Sequence, residues 1–141
     1  MTKFLAFILA LGISIGVHAE KMAPHLYGRW KIIGVADAQE STSLSSDQVD
    51  LLTGTELIIA PKYVRFNGQV CKKPNYTLTR QHTQTFFRKS YVLDPKNLLL
   101  PDDVLEIQTN CENPTEINFI YVQNKRKIIF YWKGFFLRAA M

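Results

Sequence analysis

Cys71 and Cys111 are the chain's two thiol-bearing positions, and beyond residue 19 its only imidazoles are His25 and His82. Nucleophilic catalysis needs a base placed beside the nucleophile. His82 lies in the polar run Arg80-Gln81-His82-Thr83, which reads as a solvated turn, and no Gly-x-Ser-x-Gly elbow occurs. Structural zinc needs closely spaced Cys or His ligands, and none of these four residues has such a neighbour. Among the carboxylates, Asp102-Asp103 reads as a solvated loop pair. Glu106, Glu112 and Glu116 flank Cys111 without a spacing that makes them converge. The expectation is a chain with no catalytic residue, no metal ligand set and no cofactor; a carboxylate hydrolase is the weaker alternative.

What the cysteines do depends on the compartment. The chain opens with Lys3, runs apolar from Phe4 to Val17, and leaves through Val17-x-Ala19 before the charged pair Glu20-Lys21. A positive start, an apolar centre and a small-residue exit make an export signal. The apolar centre is shorter than the ~20 residues of a comfortable span, so a retained anchor helix is the lesser reading. Residues 1–19 are therefore expected to be a signal peptide and 20–141 a single β-barrel domain, periplasmic or secreted. In an oxidising compartment an even cysteine count reads as a disulfide, Cys71–Cys111, rather than two buried thiols. The net charge of +5, from 17 basic and 12 acidic residues, is scattered rather than striped. That excludes a nucleic-acid binder by charge pattern, and no apolar run beyond residue 19 is long enough for a membrane-spanning helix.

The elements that would position any site are mostly strands. Arg29–Ala36 is β-rich, and Asp37–Ser46 is a polar loop. Ser45 with Gln48 forms a capping box, Leu44 and Val49 can staple it, and Gly54 is placed to stop a short helix. Strands are expected over 55–60, 63–66, 69–72, 76–80, 83–91, 104–111, 117–122, 127–133 and 135–138. Asn67-Gly68 gives the strongest hairpin signal. Leu98-Leu99-Leu100 is expected to plug an end of the core. In 104–111, Leu105, Ile107, Thr109 and Cys111 face inward, with Glu106, Gln108 and Asn110 outward. The fold class is all-β with one short helix. Eight or nine short strands suggest a sandwich or an antiparallel barrel, and the barrel is preferred because closure removes exposed edges.

Gly28-Arg29-Trp30 is similar to the Gly-x-Trp signature that opens the first strand of lipocalins and other calycins. The resemblance covers these few positions; the second lipocalin signature, Thr-Asp-Tyr, is absent, and the helix follows strand one. It implies a small calycin-like barrel, with Trp30 at its closed end and a basic residue from near the chain's end across its ring. Arg138 matches that place. Without the resemblance, Trp30 reads as an ordinary core aromatic.

Two binding functions follow. A small barrel of short strands is filled by side chains, and recognition then falls to loops such as 37–46, 94–103 and 124–126. The chain would be a non-enzymatic inhibitor or immunity-type module meeting an envelope or extracellular protein. Arg65, Lys72, Lys73, Arg80, Arg88 and Lys89 supply a candidate basic surface for an acidic partner, or simply a solvated exterior. The alternative is a carrier of a small apolar ligand, which needs an empty interior. Asn75-Tyr76-Thr77 is a glycosylation sequon, relevant only on a eukaryotic route.

Overall fold

The computed structural model describes residues 20–141; the expected signal peptide lies outside the described residues. Nine antiparallel strands form one sheet. In chain order they are β1 (Gly28–Ala38), β2 (Glu56–Ile59), β3 (Tyr63–Phe66), β4 (Gln69–Lys72), β5 (Thr77–His82), β6 (Asp103–Gln108), β7 (Phe119–Asn124), β8 (Lys127–Trp132) and β9 (Phe135–Ala140). Their order across the sheet is β4-β3-β2-β1-β9-β8-β7-β6-β5. Two helices, α1 (Ser46–Asp50) and α2 (Thr83–Ser90), interrupt the strands. Among the described residues no helix is long and apolar enough to cross a membrane.

The sheet is strongly curled. Adjacent strands lie ~4.8 Å apart, so seven steps from β4 to β6 would span roughly 34 Å if flat. The Cα atoms of Cys71 on β4 and Cys111 just past β6 are 5.1 Å apart, joined by a disulfide. Phe66 of β3 likewise meets Phe130 and Trp132 of β8 edge to face, at centroid distances of 4.9 and 4.8 Å. β4 and β5 do not pair with each other, so the barrel is half closed, and its seam is held by side chains and by isolated backbone contacts. Asn113 acts as a spare peptide unit on the β4 edge: its Oδ1 accepts from Lys72 N and its Nδ2 donates to Val70 O, both at 2.8 Å. Glu112 N donates to Lys72 O, and Glu116 N to Gln69 Oε1. Edge groups that would otherwise be open to another strand are thereby occupied.

Strand alternation splits the core in two. The concave side holds Trp30, Ile32, Leu57, Ile59, Val64, Phe66, Cys71, Ile107, Ile120, Phe130, Trp132 and Leu137. The alternate residues Tyr121, Ile129 and Phe136 face the convex side with Val104, Phe87 and Leu98. The central strands are thus buried on both faces, which explains the unbroken apolar runs in β8 and β9. Turn chemistry follows the residues: Asn67 and Gly68 take φ of +46° and +79°, as a type I′ turn requires. α1 forms with the expected capping box, Ser45 Oγ accepting from Gln48 N and Gln48 Oε1 from Ser45 N.

One expected strand is a helix. Residues 83–91 read as β because Thr, Phe and Tyr favour strands, yet Thr83–Ser90 is α2. Thr83 N and Oγ1 donate to Asp102 O and Pro101 O, fixing its start. Tyr91 N and Leu93 N both donate to Phe87 O and end it, with Val92 at φ +53°. Thr83 and Phe87, four residues apart, form its buried stripe. Leu98 is buried in the convex-side core, and Leu99 is exposed at φ +53°. The Leu98–Leu100 segment therefore covers the outside of the sheet and does not plug its end.

Candidate functional site

α2 and the turn Pro95–Leu98 lie over the convex face of the sheet and create an environment that the strands alone would not have. Glu106 on β6 and Tyr121 on β7 are directly opposed in the ladder. Tyr121 donates its hydroxyl to Glu106 Oε2 at 2.8 Å, and Tyr91, just past α2, shares a hydrogen bond with the Tyr121 hydroxyl. Gln81 Nε2 reaches Glu106 Oε1 only at 3.5 Å. Phe87 packs on Tyr121 at 4.9 Å and stacks on Tyr91 at 5.4 Å, and Phe86 stands 6.0 Å from Tyr121. Tyr131 and Phe136 extend the cluster on the far side of Tyr91.

Burial pushes the Tyr121 and Tyr91 hydroxyls well above the ordinary phenol range, and the nearby Glu106 charge adds to the shift. Both rings are therefore held as neutral hydrogen-bonding groups. Glu106 is only 9% exposed. Among the described residues its carboxylate has no Lys, Arg or His within ion-pair distance; the five ion pairs there all lie elsewhere. A recess of about 300 Å³ opens beside it, lined by Phe86, Ser90, Tyr91, Glu106 and Phe119.

No family model, curated protein or solved structure matches the chain. The site is thus read from its own geometry and from where the sequence-derived candidates fall.

Cys71 and Cys111 form the expected disulfide. Gly28 and Trp30 open β1. Gly28 takes φ +141° with the Met141 side chain against it, and Trp30 is fully buried with its Nε1 donating to Leu26 O at 3.0 Å. Arg138 does not lie across the Trp30 ring. It occupies the β9 position between Leu137 and Ala139, both on the concave side with Trp30, so alternation sends it to the convex face. There it donates to Asn97 O at 2.8 Å.

The six basic candidates are spread over three regions. Arg65, Lys72 and Lys73 belong to the β3–β4 hairpin and its exit, Arg80 to β5, and Arg88 and Lys89 to α2. Lys73, Arg80 and Arg88 are paired with Glu112, Glu20 and Asp94, and Arg65 lies over the Tyr63 ring at 5.6 Å. Two of the candidate loops do converge. Asn97 Nδ2 donates to Asp37 Oδ2, Gln39 Nε2 to Tyr91 O, and Tyr131 Oη to Gln39 Oε1. Loop 37–46 is thus pinned to the segment following α2, beside the aromatic cluster.

Sequence reasoning missed Glu106, Tyr91 and Tyr121 as a unit. The signal was present in the aromatic residues at the outward positions of β7, β8 and β9, Tyr121, Tyr131 and Phe136. A solvated outer face would not carry them.

Proposed function

We propose that the chain is a non-enzymatic binding protein of inhibitor or immunity type, which engages an envelope or extracellular protein through its outer surface. The supporting observation is the filled interior. Trp30, Phe66, Phe130 and Trp132 are buried together on the concave side, with Phe66 edge to face against both Phe130 and Trp132, at the place where a carrier would hold its cargo. The recess beside Leu105 and Val122, near the N-terminal segment, measures about 280 Å³ and is edged by the Arg80–Glu20 pair. That lies just below the range of ligand sites, which run ~300–1,000 Å³. Relatedness to calycins is part of the proposal and rests on Gly28 and Trp30.

An export route agrees with the disulfide, because such bonds persist in oxidising compartments. The convex face offers a rigid platform, since loop 37–46, α2 and the turn at 95–98 are tied together by the hydrogen bonds described above. The test is affinity capture from the native envelope or secretome with the disulfide-bonded protein. A single partner retained through a salt gradient supports the proposal. Recovery of no specific protein at low or high salt, or of protein carrying a stoichiometric bound lipid, overturns it.

A further inference from the structure

We infer that the convex-face recess is a binding site for a primary alkylammonium group, with Glu106 as its counter-ion. This goes beyond the protein-binding proposal and does not depend on it. Three observations converge on one spot. Glu106 is a nearly buried carboxylate with no cationic partner among the described residues. Its Oε2 is fixed by Tyr121 at 2.8 Å, whereas Oε1 has only the long contact to Gln81. A recess of about 300 Å³ opens at that carboxylate, and three of its five lining residues are aromatic: Phe86, Tyr91 and Phe119.

Withdrawing a carboxylate from water is costly unless it is paired. One neutral phenol donor offsets part of that cost, and a cation would supply the rest. Aromatic faces also attract cations, so the ring-lined wall and the carboxylate favour the same ligand. A primary ammonium suits the weakly engaged Oε1 because it brings hydrogen-bond donors, which a quaternary one lacks. The chain's own nearby cations are placed otherwise. Arg88 pairs with Asp94 at 3.3 Å, and Lys89 lines the adjoining recess with Gln81, His82 and Thr85.

The experiment titrates the purified disulfide-bonded protein with n-butylammonium chloride, following backbone amide resonances of residues 86–91, 106 and 119 by NMR. The same titration is run with 1-butanol, a similar chain without the charge. Saturable shifts with the ammonium and none with the alcohol are expected. Glu106→Gln keeps an oxygen for the Tyr121 hydroxyl, so the fold should hold, yet it should weaken binding by about tenfold or more. Phe119→Leu removes one ring without touching the charge and should weaken binding by a smaller factor.

A parallel titration with N-acetyl-lysine-N′-methylamide identifies the source. Tighter binding than n-butylammonium points to a lysine of a partner protein, and exclusion of the peptide form points to a small free amine. Either supports the site. No saturable shift with n-butylammonium, an equal response to 1-butanol, or unchanged affinity in Glu106→Gln overturns it. Because no partner protein is present in this assay, its failure is separate from failure of the affinity capture.

Discussion

Tyr121 holds two polar groups at once, accepting from the Tyr91 hydroxyl while donating its own proton to Glu106. Replacing it with Phe leaves a buried carboxylate oxygen unsatisfied. Tyr121→Phe should destabilise the fold by about 1–3 kcal/mol in urea unfolding; no change would mean that Glu106 is already solvated. The phenols also set an alkaline limit. Folding raises the Tyr91 and Tyr121 pKa values above the ordinary 10.0, so the unfolded chain releases these protons first. The stability they contribute is complete below about pH 10 and is lost as pH climbs above it. Thermal unfolding between pH 8 and 11.5 should show Tm falling at the alkaline end, with a shallower fall in Tyr121→Phe. This carboxylate was hidden in the sequence for a definite reason. Alternation correctly placed Glu106 opposite to Ile107, but alternation says nothing about what covers the outer face.

The covering is α2, and here the sequence carried a conflict. Thr83, Thr85, Phe86, Phe87 and Tyr91 have strand-favouring side chains, while the Thr83/Phe87 and Gln84/Arg88 spacings are helical. Tertiary packing decided for the helix, because Phe87 fills the space above Tyr121 and Phe136. Phe87→Ala should therefore cost about 3–5 kcal/mol and release the Tyr91 hydroxyl contact. The check is chemical denaturation together with Tyr91 exchange by NMR; a loss under 1 kcal/mol would mean that α2 is only loosely docked. α1 shows the opposite case. Its start was legible because it depends on local chemistry, the Ser45–Gln48 capping box, and not on distant packing; its end was not, since the helix stops at Asp50 and residues 51–54, Gly54 included, form a turn. The Asn67-Gly68 hairpin was legible for the same reason as that start. Arg138 was misplaced because a resemblance at Trp30 was carried to the far end of the chain, where strand parity decides the face.

At the scale of the whole molecule, the all-β antiparallel architecture was readable from turn spacing and apolar alternation. The half-closed seam was not, because it depends on Asn113, an ordinary loop residue in sequence. The seam has two fasteners, one covalent and one hydrogen-bonded. A Cys71→Ala/Cys111→Ala variant frees a loop with a sequence separation of 40, and should lose about 4 kcal/mol in the chain-entropy model. Guanidinium unfolding with and without reductant measures it; equal midpoints for oxidised and reduced protein would show that the non-covalent contacts hold the seam without the disulfide.

The two borders of the sheet end up unlike each other. On β4 the backbone is occupied by residues 112–116, whereas among the described residues no strand adjoins the outer side of β5. Filament growth by strand addition needs two free borders on each subunit, one to receive and one to offer. A molecule with one blocked border can stack only once, back to back through β5 about a twofold axis. By strand addition at its borders the molecule is therefore limited to a pair and not a fibre, for as long as residue 113 stays in place.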